Sequence, residues 1–145
     1  MVDGGYDPGR ASHAALLEIR RTLRRHPAVT EAVADPPASF TRVRGDLEPR
    51  LLGGSSEAGT LTVRWYAGES AEAPSEFVFH YSDDSGFDCG WHHEPNPHVE
   101  GWGHYQERER EDGAYTYESV TFGSDIPVRV CWEVLERLAA RLSDV

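Results

Sequence analysis

"EFVFHYSDDSGFDCGWHH", residues 76–93, decides the fold. Phe77, Phe79 and Tyr81 alternate with Val78 and His80, the period of a strand with one buried face. After the turn, Phe87, Cys89, Trp91 and His93 alternate with Asp88, Gly90 and His92. The intervening residues suit a three-residue loop, Asp84–Ser85–Gly86, with Gly86 left-handed in a bulge. That loop sets Tyr81 opposite Cys89, Phe79 opposite Trp91, His80 opposite Gly90 and Val78 opposite His92. A slip of one residue would turn every hydrophobe to the wrong side. In this register His80 and His92 are diagonal neighbours on one face, roughly 7–8 Å apart at the backbone. Gly90 leaves open space beside the His80 ring.

Further strands extend the pattern on both sides. "TLTVRWYAG" (60–68) points Leu61, Val63 and Trp65 one way, and residues 40–52 form a weaker strand interrupted by "GDLEP". Beyond the hairpin, strands over 102–110 and 115–122 flank an Asp112–Gly113 turn. A two-residue loop there pairs Arg110 with Tyr115, Arg108 with Tyr117, Gln106 with Ser119 and His104 with Thr121. One face then carries His104, Gln106, Arg108, Arg110, Tyr115 and Tyr117. The other carries Tyr105, Val120 and Phe122 toward the core.

Helices close both ends. Ser12 caps a helix that Pro27 stops, with Leu16, Ile19 and Leu23 as its apolar stripe. Arg20, Arg21, Arg24 and Arg25 lie off that stripe. The last helix starts at Ser124 or Asp125 with Pro127 in its first turn. Its stripe is Val128, Cys131/Trp132, Leu135, Leu138 and Leu142. The expected architecture is α+β: an N-terminal helix, an antiparallel meander of about five to six strands and a C-terminal helix, both helices on one face. Residues 1–145 make a single domain, with 1–10 flexible.

Composition sets the background. The formal net charge is −11, and all 14 basic residues are Arg, with no Lys. An acidic, Lys-free surface fits a halophilic or GC-rich setting, because carboxylates keep a protein hydrated in salt. It does not exclude nucleic acid. With neither a membrane-length apolar run nor a secretion signal in view, a cytoplasmic location is expected. Cys89 and Cys131 read as buried thiols.

Four of the seven histidines fall within "FDCGWHHEPNPHVEGWGHYQ", residues 87–106. Three chemistries suit them. His92, His93, His98 and His104 with Glu94 and Glu100 could ligate a metal, but no ligand spacing demands one, so no cofactor is assigned. Alternatively, two imidazoles with Arg suffice to cleave RNA through its 2′-hydroxyl, one taking a proton and the other giving one. His80, His98 and His104 suit that role because they lie in a loop or off the core face, whereas His93 belongs with Phe87 and Trp91. The third reading is structural: Pro95 and Pro97 shape the loop and Asn96 bridges its turn.

The run Phe79-His80-Tyr81, Asp83/Asp84, Gly86, Trp91, Asn96-Pro97-His98 and His104-Tyr105-Gln106 resembles the TumE family of toxin–antitoxin proteins. It is also similar to haloarchaeal proteins of the same pattern. The resemblance spans residues 60–106 and the helix–sheet–helix plan. It implies a toxin-like protein whose partner is a DNA-binding antitoxin, with RNA as a target. Two departures stand out. The family's Arg-aromatic-Asp falls on Gly90-Trp91-His92, and its His-x-His becomes His104-Tyr105-Gln106, where Gln106 cannot carry a proton. The resulting expectation is a ribonuclease-like site with His98 and His104 as the acid–base pair and His80 or His92 assisting. Gln106 and Arg108 would hold phosphate, Asn96 would order the loop and Tyr117 would stack a base. The alternative is a non-catalytic binding module, metal-stabilised or not, with loop 92–106 as its interaction surface.

Overall fold

The computed structural model describes residues 5–144. Helix α1 (Pro8–Arg25) is followed by strands β1 (Val29–Asp35) and β2 (Arg42–Leu47), then a 3-10 turn at Pro49–Leu52. Strands β3 (Gly59–Tyr66), β4 (Glu76–Asp83), β5 (Asp88–His93), β6 (Gly103–Arg108) and β7 (Thr116–Ser119) lead to α2 (Pro127–Asp144). All seven strands form one antiparallel sheet in chain order. The α+β plan is as expected, with seven strands rather than five to six.

The central hairpin has the expected register: Tyr81 faces Cys89, Phe79 faces Trp91, His80 faces Gly90 and Val78 faces His92. Gly86 takes φ +90, and Asp83 accepts the Ser85 N–H through its carboxylate, which tightens the turn. The extra strand is β1, whose pattern is mixed: only Ala32 is buried, so no alternation marks it. β2 runs through Gly45 and Asp46 because both are paired with β1 on one side and β3 on the other. A Cβ on Gly45 would make ordinary van der Waals contact with Leu23 Cδ1 at 3.5 Å, so this face of β2 lies directly under α1.

Three expected details are corrected. Helix α1 begins at Pro8, because Asp7 accepts the Gly9 and Arg10 N–H groups as the cap. Ser12 lies inside the helix and instead accepts the Ala67 N–H, tying α1 to the end of β3. The β6–β7 pairing is shifted by two residues: Gln106 faces Tyr117 and His104 faces Ser119. A wider turn, with the Gly113 N–H on Arg110 O, replaces the two-residue loop. The shift is even, so every side chain keeps its expected face. On α2 the buried stripe runs through Val130, Cys131, Val134, Leu135, Leu138 and Leu142, while Trp132 is exposed beside His26.

Both helices cover the same face of the sheet. Ile19, Leu23, Val130, Val134 and Leu138 join Val43, Leu61, Val63, Phe79, Tyr81, Cys89 and Trp91 in one core. The chemistry gathers on the opposite, open face of β4–β7. The Arg20–Arg25 segment therefore lies across the sheet from it, with Arg20 over Phe40 and Arg24 donating to Ala32 O.

Candidate functional site

The open face is organised around Gly90. Pairing sets His80 on one side of it and Gln106 on the other, with His92 two residues along β5. A Cβ on Gly90 would meet His92 Nε2 at 2.8 Å and His80 Nδ1 at 3.0 Å. The missing side chain is thus what lets the two rings turn inward. Opposite nitrogens of the same rings face carboxylates. His92 Nδ1 donates to Glu94 Oε1 at 3.2 Å, which leaves Nε2 as the lone-pair nitrogen. His80 Nε2 stands 3.5 Å from Asp88 Oδ1, which is buried without a hydrogen-bond partner, so its charge favours a proton on Nε2. His92 Nε2 is shielded from solvent and has no hydrogen-bond partner.

The loop between β5 and β6 folds back over this face. Asn96 is its pin: Oδ1 accepts the His98 N–H at 2.7 Å, and Nδ2 contacts His104 Nε2 at 3.0 Å. Since Oδ1 is occupied by an N–H, Nδ2 must donate to His104, so His104 Nε2 carries no proton. Its proton is on Nδ1, which is buried without a partner. His104 is itself fully buried, packed against His92 with ring centres 4.5 Å apart. His98 lies flat on Tyr117, centroids 4.4 Å apart and planes at 12°.

Arg108 donates from Nε to Asp88 Oδ2 at 2.7 Å and lies over the Tyr115 ring. Burial, with Asp88 beside it, pushes the Tyr115 hydroxyl up to about 12. His80, His92 and His104 are all held below the ordinary imidazole value, chiefly because burial disfavours their cations. Asp88 and Glu94 pull in the opposite direction on His80 and His92, and burial wins.

The eight expected site residues therefore lie on the open face or in the loop above it, but not as one set. His80, His92 and Gln106 surround Gly90. His104 packs against His92, out of reach of solvent, and His98, joined to His104 through Asn96, stacks on Tyr117. Asn96 orders the loop, as expected. The partner carboxylate of His80 was missed: Asp88 follows from the register, since it lies diagonal to His80 on the same face. His93 belongs to the other face, stacked on Phe77 with Nδ1 on Ser75 O at 2.7 Å. Both cysteines are free and buried. Among the described residues, no group of three or more His, Cys, Asp or Glu side chains is placed to hold a metal ion, and no helix is long and apolar enough to cross a membrane.

Fold and site define a class: an α+β protein with a seven-stranded meander, one face under two helices and the other presenting carboxylate-backed imidazoles. No family model, curated protein or solved structure matches the chain.

Proposed function

We propose that the open face is a phosphodiester-directed acid–base site in a toxin-like protein acting on RNA, with His80 and His92 as the working pair. One observation carries this reading: His80 Nδ1 and His92 Nε2 converge over Gly90 while Asp88 and Glu94 face the opposite nitrogens. One imidazole would remove the 2′-hydroxyl proton as that oxygen attacks phosphorus. The other, protonated, would give its proton to the departing 5′-oxygen. Gln106, across from Gly90, would donate to a phosphate oxygen, and Arg108 would lend positive charge. Tyr117, with His98, offers a stacking platform for a base. His104 and Asn96 position His92 and the loop. The resemblance to TumE-type toxins supports a DNA-binding antitoxin as partner.

The test is cleavage of a fluorescent single-stranded RNA in chelator, with the ends analysed for 2′,3′-cyclic phosphate. His80→Ala and His92→Ala should each lower the rate about 10²–10⁴-fold, the usual contribution of a positioned acid or base. Cleavage that persists in the double variant, or none by the wild type, would overturn the reading.

A second reading is a non-catalytic module that binds through the loop. It is favoured by the use of Asn96 and His104 to fix the loop while Trp102 and Tyr117 remain at the surface. Binding of RNA or an antitoxin without cleavage would select it.

A further inference from the structure

We infer that His80 and His92 form a two-histidine site for an imidazole-seeking divalent transition ion of the Zn²⁺ or Cu²⁺ type, seated over Gly90. The inference is independent of any action on RNA. Four observations carry it. First, His80 Nδ1 and His92 Nε2 lie within 3.0 Å and 2.8 Å of one point, the position a Gly90 Cβ would take. Second, Glu94 accepts from His92 Nδ1, which leaves Nε2 as that ring's lone-pair nitrogen, and the buried, otherwise unpartnered Asp88 Oδ1 stands 3.5 Å from His80 Nε2, where its charge favours the His80 proton. A carboxylate behind the distal nitrogen is the usual arrangement for a metal-bound histidine, since it fixes the tautomer and raises ligand basicity. Third, His92 Nε2 is buried and unpartnered, an acceptor that a polar interior rarely leaves empty. Fourth, the strand carries glycine where any side chain would fill the space between the rings.

Imidazole nitrogen selects the class of ion. Ca²⁺ and Mg²⁺ prefer oxygen, whereas Zn²⁺, Cu²⁺ and Ni²⁺ take histidine readily. Two protein ligands leave the remaining positions to water or a small anion, with Gln106 across the strand to hydrogen-bond it. Such a site is open and exchangeable rather than a structural clamp. An ion held there would occupy both lone pairs and so block proton transfer by the same two residues.

The experiment is calorimetric titration of Zn²⁺, and separately Cu²⁺, into untagged, chelator-stripped full-length protein near neutral pH. Imidazole ¹⁵N spectra would be recorded at each end point. One equivalent should bind, shifting His80 Nδ1 and His92 Nε2. His80→Gln and His92→Gln should each weaken binding at least tenfold, and Glu94→Gln about 10–100-fold as a residue acting through His92. Gly90→Ala, with both histidines intact, should abolish binding. His98→Ala should leave it unchanged, and circular dichroism should show every variant folded. Absence of saturable binding by the wild type would overturn the site. So would binding that survives Gly90→Ala, or binding that disappears with His98→Ala. RNA cleavage in chelator is a separate readout, so loss of either reading leaves the other standing.

Discussion

At the scale of single residues, Asn96 makes the sharpest claim. Its Oδ1 is committed to the His98 N–H, so its amide must donate to His104 Nε2, and the His104 proton is confined to Nδ1. A protonated His104 would set N–H against N–H at this contact, which adds to burial in keeping the ring neutral. Asn96→Asp reverses the contact by offering an acceptor in place of the donor. The His104 pKa should then rise above its wild-type value, because an adjacent carboxylate favours the imidazolium. Imidazole ¹⁵N–¹H spectra against pH would read both points. A wild-type spectrum showing Nε2 protonated would mean that the amide is turned over and the derivation fails. Asn96→Ala removes the donor without a replacement and strands a buried acceptor, at a cost of about 1–3 kcal/mol in urea unfolding. None of this was legible in the sequence. "EPNPH" announces a turn held by Asn96, but not which ring the amide meets, since that depends on how the loop folds over β6.

At the scale of elements, legibility followed periodicity. The β4–β5 hairpin could be read to the residue because apolar alternation and the Asp-Ser-Gly turn agree on one register. β1 could not, because an edge strand with one buried residue gives no pattern. The β6–β7 hairpin was legible in its faces but not its pairing. Asp112–Gly113 suggested a tight loop, while the strands pair two residues away from that register, where Arg108 lies over Tyr115 and His98 stacks on Tyr117. Long-range ion pairs are similarly silent in sequence, and one of them joins α2 to the sheet. Arg141 grips Glu107 with two hydrogen bonds of 2.6 Å, and Tyr105 donates to the same carboxylate at 2.7 Å. The Arg141 hydrogen bonds hold the Glu107 carboxyl below its ordinary range. Arg141→Ala leaves that carboxylate partly buried without its cation. The expected cost is about 2–3 kcal/mol, below the 3–5 of a fully buried pair because water reaches both groups. Pairing Arg141→Ala with Glu107→Gln in a double-mutant cycle should return a coupling above about 1 kcal/mol. A coupling near zero would reduce the bridge to surface decoration.

At the scale of the whole molecule, the histidines make stability depend on pH in a definite direction. His26, His80, His92 and His104 all have folded-state values below 6.5, so the unfolded chain binds more protons as the pH falls through that value. Stability rises with pH wherever the unfolded state holds more protons. Their contribution is therefore complete above 6.5 and declines as the pH drops below it. Glu107 adds a second, lower step, present above its ordinary 4.5 and lost as the pH falls through its depressed folded value. Net charge opposes the first step. At −11 the chain repels itself, and protonating imidazoles relieves that repulsion, which favours the compact state. Salt separates the two effects. In 1 M NaCl the screening length is about 3 Å, so surface repulsion is largely removed while the burial of imidazoles is not. Thermal melts in chelator and 1 M NaCl should accordingly show Tm falling from pH 7.5 to pH 5.5. The fall should be smaller in His80→Gln, which removes one of the buried rings. At low salt the same interval should show a shallower fall, because relief of repulsion offsets part of the loss. A Tm that stays level or climbs toward pH 5.5 in high salt would mean that these imidazoles are not held neutral by burial, and that the electrostatic account of the open face is wrong.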